Sequence, residues 1–575
     1  MTAQISDPTT ETMDTALADL REGERRWVRL PVSGRRKLLE ELSESVAARA
    51  QEWVSVAAGY KGLPADSPLV GEEWISGPYA VVTALSALTE SLRALEADRS
   101  PVDGFGIKSA PGGRVSVRVL PHGIFDTLLL NGFTAEVWMP PGVSAQKVRA
   151  RAGLGQLTPG VSGGIGVVLG AGNISSIPVL DVLYELYAHN RVTILKLNPL
   201  TDDLLPVLAE ALAPLTGRGF LRIVSGGADV GQYLVRSASA DHVHITGSAV
   251  SHDNIVFGPG EIGVARKAAV RQNTAQPLLD KEITSELGGV SPIIIIPGKW
   301  SKADLRFQAE HVATQRLHNG GYNCIAGQVV ILSSDWPQRE AFLTELRSAM
   351  SGAPHRTAYY PGSDGRLGDA KIAYPRAESL GGDRLLVIGA NLAPGENALR
   401  TEYFSPVLAV VKLPGEGAAF FQAAVDAANN DLVGTLGVNV IAHPRTLRAA
   451  GKAFDDALAR LRYGCIAVNT WTAFGFLTAR APWGAFPGAT ITDVQSGIGV
   501  VHNALLLAES ERTVVRGPFR PTHRSLGAGE FTLSPRPPWF VTNKTQAITG
   551  RLLTLFASKP RWRKLPRIFA SALRG

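Results

Sequence analysis

The chain has 575 residues, 45% hydrophobic and 19% charged, a length and balance that exclude a disordered protein and leave room for two or three domains with substantial cores. Its two cysteines, Cys324 and Cys465, exclude a disulfide framework and a cysteine-based zinc site and point to a reducing interior. The formal net charge is +7, but twelve Lys/Arg against a single Glu (Glu530) lie from Arg516 onward, so the basicity belongs to a tail; with no homeodomain, zinc-finger, RRM or KH pattern beside it, no nucleic-acid partner is expected.

The start, MTAQISDPTTETMDTALADL, lacks a basic stretch followed by an apolar one, so no secretory signal is expected. Its first dozen residues are polar and read as mobile. Apolar residues then recur at helical spacing from 14 to about 97, which predicts a helical region punctuated by Pro64 and Gly71. Residues 100–163 are richer in Gly, Pro and short β-like runs and predict strands with an excursion or arm. From Gly164 the pattern becomes strand, glycine turn and helix. A strand at 165–169, a turn at 170–173 and a helix at 178–188 lead to a strand at 192–196 and a helix at 204–215. A strand at 221–224, a helix at 226–238 and a strand at 242–246 follow, the last ending at Gly247-Ser248. This alternation predicts a parallel α/β sheet, and such sheets bind nucleotides at the carboxyl ends of their strands.

Cys324 stands between Gly320-Gly321 and Ala326-Gly327, so a substrate can approach it closely. Thiolate is the strongest nucleophile available near neutral pH, and carbonyl carbon is its natural target. Most free cysteines are small buried hydrophobes, so the partners decide. Taken singly they are weak. Gly170-x-Gly172 is a common kind of turn, and neither a Walker A nor a strict G-x-G-x-x-G sequence is present. Gly247-Ser248 can be only a turn, although one that opens a helix presents N–H groups to a pyrophosphate. His242 and His244 alternate on one strand without metal-site neighbours and read as packing or surface residues; no metal is expected.

In order, Asn173, Lys196, Gly247-Ser248, Glu286-Leu-Gly-Gly-Val-Ser-Pro292, Cys324-x-Ala-Gly327 and Glu402-Tyr-Phe-Ser-Pro-Val407 resemble the motifs of the aldehyde dehydrogenase superfamily over about residues 160 to 500. The resemblance implies an α/β fold: a Rossmann-type parallel-sheet cofactor domain, an α/β catalytic domain, a helical N-terminal region and a C-terminal extension. The expected division is 1–110, 111–283 with the arm before 164, 284–480, and 481–575. It also implies NAD- or NADP-dependent oxidation of a small-molecule aldehyde in a cytoplasmic homo-oligomer. Cys324 would be the nucleophile, Asn173 an oxyanion donor and Glu286 the base for deacylation. Lys196, Gly247, Ser248, Glu402 and Phe404 would hold the cofactor.

Departures from the pattern qualify this. Pro199 stands where NAD-preferring members often carry a glutamate, which leaves NADP open. The run 250–260 interrupts the helix expected after Ser248. Gly172-Asn173 replaces an aromatic-Asn pair and also resembles the fatty acyl-CoA reductases, so a CoA-dependent reductase is one alternative and a silent scaffold of the same fold another. Glu286 favours hydrolysis, because CoA-exchanging members often lack a base there. The tail from 539 mixes apolar and basic residues. It reads either as a peripheral membrane contact, giving a membrane-associated protein, or as docking on a neighbouring subunit, with Pro560 and Pro566 breaking any long helix.

Overall fold

The computed structural model describes residues 9–575 apart from 529 and 531. Residues 1–8 of the polar start lie outside the described residues. Helix α1 (Thr10–Arg29) begins at once, because the Thr9 side chain accepts from the Thr12 N–H and satisfies one of the donors a helix start leaves open. Its buried stripe of Met13, Leu17, Leu20 and Trp27, with α2 (Val32–Tyr60) and α4 (Ala80–Glu96), forms one core with the sheet residues Ile165, Val167 and Ile194. Between α2 and α4 lies the short helix α3 (Val70–Trp74), continued by a wide turn over Ile75–Tyr79.

The segment expected as an arm contributes β1 (Gly106–Ala110), β2 (Arg114–Leu120), the apolar helix α5 (Ile124–Leu129) and β3 (Thr134–Trp138). Strands β4 (Ile165–Leu169), β5 (Val192–Lys196), β6 (Leu221–Val224), β7 (His242–Gly247) and β8 (Glu282–Leu287) follow. They are joined in parallel in the order β8-β7-β4-β5-β6. The expected strands at 165–169, 192–196 and 221–224 hold to the residue, and β7 runs one residue past the expected 246.

A second sheet is built on β9 (Ser291–Ile295), β10 (Gly327–Ser333), β11 (Glu378–Leu380), β12 (Arg384–Ala390), β13 (Val407–Leu413), β14 (Gly437–Ile441) and β15 (Cys465–Val468). The chain then returns through β16 (Trp483–Gly484), β17 (Gly497–Ile498), β18 (Val500–Val501) and β19 (Arg512–Arg516). Strand β17 pairs antiparallel with β8 at the edge of the first sheet. Strand β19 lies parallel to β15 and antiparallel to β3. This pairing draws β1–β3 into an eleven-stranded sheet with the order β1-β2-β3-β19-β15-β14-β9-β10-β13-β12-β11. The polypeptide passes from one sheet to the other through Gly288-Gly289, where the Glu402 carboxylate approaches.

The tail docks on its own chain. The helix Gln546–Ser558 ends before Pro560, as the proline predicts, and lies against α3. Glycines permit the approach. A Cβ at Gly71 would stand 2.3 Å from the backbone carbon of Gln546, and one at Gly550 would stand 2.8 Å from Trp74 Cβ.

Candidate active site

A cleft of about 1180 Å³ opens beyond the carboxyl ends of β4, β5, β7 and β8. Asn173, Lys196, Gly247, Ser248, Glu286, Cys324, Glu402 and Phe404 all line it. The structure therefore brings the eight residues singled out in the sequence to one place. Lys196 closes β5 with Pro199 just beyond it. The helix after Gly247-Ser248 is not interrupted at its start, contrary to expectation. It runs from Ala249 to Phe257, because the Ser248 side chain caps it by accepting from the Ser251 N–H at 3.1 Å, and the break comes later, at Gly258-Pro259. Its N-terminal N–H groups thus open beside the cleft, where the helix dipole favours an anion.

Glu402 reaches into the crossing. A Cβ at Gly288 would lie 1.9 Å from its Oε1, so only glycine admits the carboxylate. Burial pushes this carboxyl up to about 8, against the opposing pull of the Gly289 N–H and Arg316. Phe404 holds φ 43°, an unusual left-handed setting for an aromatic residue. The Tyr403 and Phe404 carbonyls accept from Arg366 at 2.7 and 3.2 Å, and the Phe404 ring stands 4.8 Å from that of Tyr360.

Cys324 is delivered by the helix Lys302–Leu317, which starts in a Ser301/Asp304 capping box. Three successive left-handed residues, Asn319, Gly320 and Gly321 (φ 55°, 68° and 86°), then turn the chain; two of the three are glycine, which takes this conformation without a Cβ clash. Burial and the carboxylates of Glu286 and Glu402 push the Cys324 thiol well up. Glu286, at the end of β8, is pushed up to about 7, first by burial and then by the charge of Asp181; the Cys324 thiol and the Trp483 N–H beside it offset part of the rise. A carboxyl near 7 is poised to exchange protons under ordinary conditions.

Behind the thiol lies a brace the sequence did not disclose. Lys61, fully buried, donates to Glu73 Oε1 (2.9 Å), the Asn173 carbonyl (2.9 Å) and Asn319 Oδ1 (3.2 Å). The Asn319 N–H donates to Glu72 at 3.0 Å, and Arg356 pairs with the same carboxylate. Asn173 Nδ2 donates to the Tyr322 carbonyl at 2.9 Å, and Asn319 Nδ2 donates to the Asn173 and Tyr322 carbonyls at 3.1 Å each. The turn after β4 and the cysteine loop are thereby stitched together. The one local signal was two adjacent glutamates, Glu72 and Glu73, inside an otherwise apolar run.

His242 and His244 are neither surface groups nor plain packing. Both are buried, His242 Nδ1 3.2 Å from Glu185 and His244 Nε2 3.5 Å from Asp181. Asp181 is held down to about 2 by His244 and His502 in spite of burial, and its charge is the one felt at Glu286.

A second, narrow cavity meets the cleft at Cys324. Its walls are apolar and aromatic, with Ile325, Trp471, Phe476, Trp483 and Trp539 among them. Asn173, Ile177 and Cys324 line both spaces, so the thiol and an amide stand where the two meet.

Residues 175–359 match the aldehyde dehydrogenase family. The match spans about a third of the chain, which is similar to that family there. The chain is an NAD(P)-dependent oxidoreductase of the aldehyde dehydrogenase class. Lys196, Gly247, Ser248, Glu286 and Cys324 fall inside the matched segment, and Asn173, Glu402 and Phe404 outside it. This aldehyde dehydrogenase is 23% identical over 502 residues to the 3,6-anhydro-alpha-L-galactose dehydrogenase of Streptomyces coelicolor, covering 82% of this chain and 83% of that one. Its fold is similar to that of an NAD-dependent aldehyde dehydrogenase from Sinorhizobium meliloti (TM-score 0.58, 18% identity, 90% and 89% of the two chains). It is also similar to that of PnpE from Pseudomonas sp. WBC-3, solved as well in complex with nicotinamide adenine dinucleotide (TM-score 0.57, 15% identity, 89% and 91%).

Proposed function

We propose that this enzyme oxidises an aldehyde to the carboxylic acid through a thioester on Cys324, and that water, activated by Glu286, releases the product. The observation that carries the reading is the meeting of two spaces at Cys324. A large cleft at the strand ends, with Lys196, Ser248 and Glu402 in its walls, suits a dinucleotide, and an apolar cavity suits the organic part of an aldehyde. The cleft exceeds the ~300–1,000 Å³ usual for ligand pockets, as a two-nucleotide cofactor requires. Lys196 and the capped helix start at Ser248 supply donors for its ribose and phosphate oxygens, and Glu402 is an acceptor for ribose hydroxyls.

The Cys324 sulfur attacks the carbonyl carbon, and the thiol proton passes to the adjacent Glu286 carboxylate. An amide nitrogen carries two N–H donors. Asn173 spends one on the Tyr322 carbonyl, leaving the other for the oxyanion together with the Cys324 backbone N–H. The chemistry supplied by NAD or NADP when bound is hydride acceptance, which converts the thiohemiacetal on Cys324 into a thioester. Glu286 releases the thiol proton to solvent and, as a carboxylate again, takes a proton from water as it attacks the thioester; that proton passes to the Cys324 sulfur as the free acid leaves.

Single-turnover kinetics with Glu286→Gln test this. We expect a burst of one equivalent of reduced cofactor followed by steady turnover lowered by about 10²–10⁴-fold, and no burst in Cys324→Ala. Steady turnover that appears only when CoA is added to the wild-type enzyme would overturn hydrolysis in favour of acyl transfer to CoA.

A further inference from the structure

Helix α5 reads Ile-Phe-Asp-Thr-Leu-Leu, and none of its six residues is buried. Ile124 at its start is 56% exposed. It is joined to the tail: the Phe125 ring stands 5.1 Å from Phe556 and 5.0 Å from Trp562, while Leu128 and Leu129 pack with Leu552, Leu553 and Phe569. Trp562 remains 60% exposed and Leu555 37%. A single face therefore presents isoleucine, leucine and tryptophan to solvent.

Cations surround that face. Nine Lys/Arg and no Asp or Glu follow Phe531. Arg551, Lys559, Arg561, Arg563 and Arg567 are exposed, and the last ion pair along the described chain is Arg536 with Glu310. Lys564 folds back, donating to the Lys559 carbonyl at 2.9 Å. Burial and the charges of Arg561, Arg563 and Lys559 lower its pKa, as expected of cations crowded without an anion.

The same face leads inward to the thiol. Leu130, directly after α5, belongs to one apolar cluster with Phe133, Phe474 and Trp539. Those three rings stand 4.8 to 5.8 Å apart, and Trp539 walls the cavity at Cys324.

We propose that α5 and the tail helices seat the enzyme on an anionic bilayer surface, and that its substrate is an apolar aldehyde drawn from that bilayer. The substrate half rests on the aldehyde-oxidising function; the docking half does not. Tryptophan and branched aliphatic side chains partition to the headgroup boundary while cations pair with lipid phosphates, and each such cation strengthens binding about fivefold. A second copy of the chain fits the face poorly, because a two-fold axis would set unpaired arginines against arginines.

Sedimentation of the full-length protein with vesicles of phosphatidylcholine alone, or mixed with phosphatidylglycerol, tests the docking. We expect binding to the mixed vesicles only, weakened by salt. It should be lost in the combined variant Arg561→Glu, Arg563→Glu, Arg567→Glu and reduced severalfold in Ile124→Ser with Trp562→Ser. Equal binding to both vesicles, or binding indifferent to both variants, overturns the proposal. So does a change of oligomeric state in the variants without a change in vesicle binding. Oxidation of a short soluble aldehyde is expected to be unchanged in the charge variant, while oxidation of a long-chain aldehyde carried in mixed vesicles falls to the rate seen with neutral ones. Vesicle binding without oxidation of any aldehyde would refute the catalytic reading and leave docking intact; oxidation without binding would do the reverse.

Discussion

Lys61 touches neither cleft nor cavity, yet its ammonium holds the Asn173 carbonyl, Asn319 and Glu73 together. Lys61→Met removes the cation and leaves Glu73 buried beside Arg356 alone, at 3.6 Å. Breaking a buried pair from one side costs about 3–5 kcal/mol, so denaturant unfolding should show a loss of that order. Because the Asn173 backbone carbonyl loses a donor and the turn that carries the amide is loosened, kcat should fall more than KM rises. Asn173→Ala, which deletes the donor itself, should lower kcat by about 10²–10³-fold. Glu286 sets a pH dependence of definite sign. Its folded pKa, about 7, lies above the ordinary carboxyl value, so the base form emerges as pH rises through 7. Hydrolytic turnover should climb over that interval, and the climb should be absent in Glu286→Gln. By linkage the same group stabilises the fold most below its unfolded pKa, and that contribution is lost as pH rises past 7. Cys324 was legible from the glycines around it and Glu286 from the resemblance of its motif run, and both line the cleft. Lys61, Asp181 and Arg356 were not legible, since the contacts that place them, Asp181 with Thr246, Lys61 with the Asn173 carbonyl and Arg356 with Glu72, span 65, 112 and 284 residues.

Among the elements, α3 is the least conspicuous in the sequence and the most consequential in the fold. Five residues long, it offers Glu72 to the cysteine loop and Glu73 to Lys61 on one side and Gly71 to the helix Gln546–Ser558 on the other. Gly550→Leu would drive a side chain into Trp74. We expect it to lever that helix away, seen as faster proteolysis of the tail together with a fall in kcat, while Ala547→Ser at a half-buried neighbour leaves both unchanged. Long amphipathic helices such as α1 were readable from their 3.6-residue period. A five-residue helix running into a wide turn has no period to read, and Pro560 marked where the tail helix stops but not what it lies on.

For the whole molecule, alternating strand and helix signals made the parallel cofactor sheet plain, and the turn residues set its strand ends. The eleven-stranded sheet was not plain, because β3 finds β19 across more than 370 residues and edge pairing leaves no mark in local sequence. Every residue assigned to the chemistry lies between Asn173 and Phe404. The parts that steady them come from Lys61–Glu73 at one end of the chain and from a helix beginning at Gln546 at the other. During synthesis, therefore, all the catalytic groups have left the ribosome before the helix that buttresses α3 exists. A nascent chain at that stage carries the whole set of reactive side chains on a scaffold that still lacks the helix Gln546–Ser558 against α3. A protein ending at residue 540 should fold its two sheets, as judged by circular dichroism, and still fail to turn over.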